Sequence, residues 1–103
     1  MNYVLLRTDT FEKQLSEIIR YIAVSSNDVD IALRYLDKIE ASVAQLATFP
    51  YKGVKPRYNV LQRKGYRVLS VEKHLVFYKV DEKEKLVILY AVVDGRREYR
   101  RLV

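Results

Sequence analysis

With 103 residues, half of them hydrophobic and 31% charged, the chain has room for one packed domain and not for two. It has no cysteine and a single histidine, His74, which excludes disulfides and thiol chemistry and leaves no basis for a zinc or other metal site. The net charge of +6 favours a polyanionic or acidic partner, and no stretch is apolar enough for a signal peptide or a membrane span, so a cytoplasmic protein is expected.

Residues 3–7 (YVLLR) read as a first strand. Asp9 is placed to cap the helix that follows, with Glu12 three residues on to bond back. Phe11, Leu15, Ile18, Ile19 and Ile22 then recur at helical spacing, and the polar run 25–28 (SSND) ends the helix. A second helix carries Ala32, Leu36, Ile39, Val43 and Leu46 as a narrow apolar seam, and Pro50 stops it. The two form an antiparallel hairpin. Residues 51–64 read as a cationic loop holding Lys52, Lys55, Arg57, Arg63 and Lys64. After Gly65 the period changes to two: residues 66–71, 74–80 and 86–93 are β-branched and aromatic and form three consecutive antiparallel strands. The expected fold is a single α+β domain, 1–103, in which a helical hairpin packs on one face of a small antiparallel sheet in the order β-α-α-β-β-β. The first strand pairs with one of the later three.

A turn at Glu72–Lys73 sets Val71 opposite His74 and Arg67 opposite Tyr78. Alternation then gathers Arg67, Leu69, Val71, His74, Val76 and Tyr78 on one face, and Tyr66, Val68, Ser70, Leu75, Phe77 and Lys79 on the other. Both faces are partly apolar. The Phe77 face is taken as the core, because the first carries three polar-tipped side chains, and Arg67, His74 and Tyr78 are left open. Arginine can hold phosphate, histidine can move a proton near neutrality and tyrosine can stack on a base. Each also has a plain structural reading: a surface cross-strand partner, a strand-end histidine and a half-buried aromatic. The C-terminal run, with Arg96, Arg97, Arg100 and Arg101 around Tyr99, adds a dense positive segment beside that face. No phosphate-binding loop, dinucleotide fingerprint, zinc-protease helix or serine-esterase elbow is present.

The segments EIIRYIA (17–23), ALRYLDKIEASVAQLATFPYKG (32–53), GYRVLSVEKHLVFYKVDEKEKLVILYAVV (65–93) and GRREY (95–99) together resemble the RelE/ParE superfamily of toxins from bacterial type II toxin–antitoxin systems, often labelled plasmid-stabilisation proteins. The resemblance implies the same element order, no cofactor, growth inhibition as the output, and a cognate antitoxin that folds onto the toxin as a hetero-oligomer. It also implies one of two targets. RelE-like members cut mRNA on the ribosome with basic residues and a tyrosine; in that case Arg67, Arg97 and Tyr99, with His74 as a further candidate, would be the catalytic set. ParE-like members poison DNA gyrase; Arg67, His74, Tyr78, Arg96, Arg97, Arg100 and Arg101 would then bind target or antitoxin. Two positions that are basic in the nuclease branch hold Leu69 and Leu75 here. The long hairpin and the KHLVF stretch are more similar to ParE, so the gyrase-directed reading is preferred, with the metal-independent mRNA interferase as alternative and a non-toxic nucleic-acid-binding or interaction module as the second.

Overall fold

The computed structural model describes residues 2–96. Strand β1 (Val4–Arg7) leads into helix α1 (Asp9–Ser26), which turns through Asn27 in the left-handed region into α2 (Val29–Ala44). A single 3-10 turn (Gln45–Ala47) extends α2, so the helix proper stops ahead of Pro50, and the last seam residue, Leu46, sits buried in that turn. A short helix α3 (Asn59–Arg63) precedes strands β2 (Arg67–Val71), β3 (His74–Asp81) and β4 (Leu86–Asp94).

The sheet order is β1-β4-β3-β2. β2, β3 and β4 form an antiparallel meander, and β1 adds to its far edge parallel to β4, which makes the sheet mixed. The parallel pairing follows from the connection: the whole helical hairpin lies between β1 and the meander, long enough to bring the chain back across the sheet.

Thr8, and not Asp9, caps α1. Its backbone is extended, its Oγ1 accepts from the Phe11 N–H at 3.1 Å, and the same hydroxyl donates to the Tyr90 carbonyl at 3.1 Å. Tyr90 is the extra residue of a bulge, since Phe77 pairs with Ala91 while Tyr78 pairs with Leu89. Glu12 does not bond back; it pairs with Arg7, which also binds Glu40 of α2. Where β1 ends, Gln14 of α1 takes over the open edge of β4 by accepting from the Val92 N–H at 2.9 Å.

Two cores flank the sheet. Phe11, Leu15, Ile39, Val43 and Leu46 of the hairpin region meet Leu69, Val71, Val76, Tyr78, Val87 and Leu89. On the opposite face Leu61 of α3, with Tyr58 and Val60, covers Tyr66, Val68, Phe77, Ala91 and Val93. The expected loop 51–64 is therefore half structural: it holds a helix, and Val54 bridges to Val68.

Candidate functional site

The β2–β3 hairpin has the register the turn implies, with Arg67 opposite Tyr78 and Val71 opposite His74. Its orientation is reversed from expectation. The helices cover the Leu69–Val76–Tyr78 face, and the Phe77 face packs under α3. Tyr78 is consequently fully buried; it donates to the Pro50 carbonyl at 2.8 Å and accepts from the Gly53 N–H at 2.9 Å. Its polar tip is satisfied by the 50–53 loop folded over it, so it offers no ring for stacking and no surface to a partner.

Arg67 sits where β2 begins. Its Nη2 donates to the carbonyls of Tyr51 at 3.1 Å and Gly53 at 2.6 Å, and the guanidinium lies 5.2 Å from the centre of the Tyr51 ring. His74 is at the other end of the hairpin, half-buried, with Nδ1 2.6 Å from the Tyr35 hydroxyl and the two rings edge to face. That hydroxyl is also 3.3 Å from the Val71 carbonyl. Both contacts are met at once when Nδ1–H donates to the phenol oxygen and the phenol hydrogen goes to the carbonyl. Burial lowers the His74 pKa from its ordinary 6.5; the Asp94 carboxylate opposes this, and Arg96 and Lys73 add to it. Burial likewise raises the Tyr35 phenol. Four residues of strand separate Arg67 and His74 on opposite sides of the paired hairpin ends, or about 13 Å. The sequence-predicted trio is thus split into a loop-bound arginine, a buried tyrosine and a groove histidine.

His74 lines a groove of about 800 Å³ that runs between Tyr21 and Ile22 of α1, Tyr35 of α2 and the end of β4. At its mouth Arg96 folds back on Asp94, with Nη2 2.8 Å from one carboxylate oxygen and both Nε and the backbone N–H on the other. These bonds hold the Asp94 carboxyl well below the usual carboxylate range. Arg96 itself remains largely exposed. Arg97, Tyr99, Arg100 and Arg101 lie outside the described residues.

Sequence reasoning missed Tyr35, Asp94 and Glu82. Tyr35 adjoins the seam residue Leu36, which is a signal that it lies at the seam's border. Glu82 gave none, being one acid in a charged turn. It accepts from Tyr3 at 2.7 Å, from Tyr51, and from Lys85 at 3.0 Å, tying together the chain start, the 51 loop and the β3–β4 turn. Among the described residues no cluster of His, Asp and Glu gathers as a metal site, and no helix is long and apolar enough to cross a membrane.

The fold is that of known toxins. The chain superposes on a structure of the chromosomal ParDE system from P. aeruginosa with a TM-score of 0.73 at 19% identity, covering 89% of this chain and 95% of that one. On the RelBE2 toxin–antitoxin complex from Mycobacterium tuberculosis the TM-score is 0.63 at 17% identity, with 91% and 99% covered. No curated protein sequence matches it significantly. The family model described as "ParE toxin of type II toxin-antitoxin system, parDE" matches residues 5–99, nearly the whole chain. By that match this chain belongs to the ParE toxin family of type II toxin–antitoxin systems.

Proposed function

We propose that the chain inhibits growth by binding DNA gyrase, not by cutting RNA, and that a cognate antitoxin neutralises it by covering the hairpin and the His74 groove. The observation that carries this is the separation of Arg67 from His74. Phosphodiester cleavage needs a proton-transfer group and charge-stabilising donors within reach of one phosphate. Here the arginine and the histidine sit at opposite ends of the hairpin, Tyr78 is buried, and Leu69 and Leu75 fill apolar sites where cations would be needed. Binding requires no such convergence. Tyr21 and Val24 are 73% and 75% exposed near the hairpin tip, an apolar surface suited to a folding-on-binding partner. Of the two similar structures one is a toxin–antitoxin complex and the other belongs to a ParDE toxin–antitoxin system. The net charge of +6 favours an acidic antitoxin, whose association should slow as salt rises.

Two assays with purified protein test this reading: gyrase supercoiling in one, ribosomes with mRNA in the other. Inhibited supercoiling and intact mRNA are expected, and Arg97→Ala should weaken the inhibition by damaging a binding surface. Ribosome-dependent fragments, reduced about a hundredfold by Arg97→Ala as loss of one electrostatic donor can do, would establish the interferase instead. In that event Tyr99→Phe would show whether a hydroxyl takes part.

A further inference from the structure

At the end of the sheet opposite the His74 groove lies a second concavity, of about 400 Å³, a size that suits a small molecule. Lys55, Arg63 and Arg67 line it between Tyr51 and Tyr66, and none of the described residues lining it is acidic. The three cations come from within thirteen residues of chain, brought together by local structure. The Val54–Val68 bridge lays Lys55 beside β2, α3 presents Arg63 from its last turn, and Gly65, at φ +89°, turns the chain from α3 into β2. Among the described residues the side chains of Lys55 and Arg63 have no hydrogen-bond or ion-pair partner. The Nε–H of Arg67 is buried and also unpaired. A buried donor on a charged group is normally satisfied, and an unmet one marks a place for an acceptor. Like charges that converge without a counter-charge repel one another, and an anion seated among them removes that repulsion.

We propose that this pocket binds the phosphate group of a small phosphate ester, such as a nucleoside diphosphate. Arg67 supplies the charge of a guanidinium already fixed in place by the Tyr51 and Gly53 carbonyls, and Lys55 and Arg63 close on the anion from the loop and the helix. The site is remote from the His74 groove and shares Arg67 with the residues expected to bind target or antitoxin.

Calorimetry and amide chemical-shift mapping on the full chain, with pyrophosphate and adenosine diphosphate as probes and potassium chloride at matched ionic strength as control, test it. Saturable binding is expected, with shifts centred on residues 51–55 and 62–67. The exposed double variant Lys55→Gln/Arg63→Gln should weaken binding about tenfold or more, the loss of at least one charge-assisted bond. Arg67→Lys, which keeps the charge but loses the planar donors, should weaken it as well. The proposal is overturned if chloride reproduces the effect or the double variant binds undiminished. A short single-stranded oligonucleotide supplies the third arm: if it binds while pyrophosphate and the nucleotide do not, the surface follows a nucleic-acid backbone and is no small-molecule site.

Discussion

Gly53 and Tyr78 are joined across twenty-five residues by a single buried hydrogen bond, from the glycine N–H to the phenol oxygen at 2.9 Å. The phenol hydrogen continues to Pro50 at 2.8 Å, so one hydroxyl fastens both ends of the 50–53 segment to the middle of the sheet. The fit needs glycine: a Cβ at position 53 would come within 2.6 Å of both the phenol oxygen and the Val68 carbonyl.

Tyr78→Phe should therefore destabilise the fold although it keeps the ring. Removing the hydroxyl strands the Gly53 N–H and the Pro50 carbonyl, at a cost of about 1–3 kcal/mol. Urea unfolding of the variant measures this, and an unchanged midpoint would rule the fastening out. Gly53→Ala should also destabilise, by steric displacement of the same contact.

Ile39 is fully buried between the helices and the sheet. Ile39→Ala should cost on the order of 2–5 kcal/mol, the range for truncating a buried isoleucine. For a domain of this size that is a large share of the total stability. Thermal melting is the readout, and a melting temperature equal to wild type would refute the packing described for α2.

His74 should make stability fall under mild acid. Its folded-state pKa lies below the unfolded 6.5, so the unfolded chain takes up the proton first. The contribution is complete above about pH 6.5 and is lost as pH drops through the window below it. Melting temperatures at pH 7.5 and pH 5.5 should diverge more for wild type than for His74→Gln. Equal divergence in the two proteins would show that His74 is not the group responsible.

Glu82 should behave in the same sense but at lower pH. Hydrogen bonds from Tyr51, Tyr3 and Lys85 pull its carboxyl down to about 2, and the same contact pushes the Tyr51 phenol up to about 12. A depressed carboxylate stabilises above its unfolded pKa and loses that contribution as pH falls toward the folded value. In Tyr51→Phe the Glu82 titration, followed by carboxyl carbon shifts, should move back toward the ordinary 4.5. A titration that stays near 2 would assign the shift to other groups.

Much of the element order was legible because it is written in local periodicity. The spacing of Phe11 and Leu15, the Ala32–Leu46 seam and the change of period after Gly65 each depend on neighbours a few residues apart, and the helices, strands and hairpin register followed from them. The cap at Thr8 was misjudged because Asp9 is an equally good capping residue by type, and only the extended backbone at Thr8 selects between them. The face of β2 and β3 could not be read at all. A strand buried on both sides shows apolar residues at every position, so alternation has no polar side to mark. It took the fold to decide, by placing α3 and Leu61 over Phe77 while the hairpin closed over Leu69 and Tyr78. The split of Arg67 from His74 and the convergence of Lys55, Arg63 and Arg67 have the same origin. Sequence fixes which chemical groups exist and which strand position each holds, but distance across a turn, a bridge and a helix is set by packing between segments that share no period.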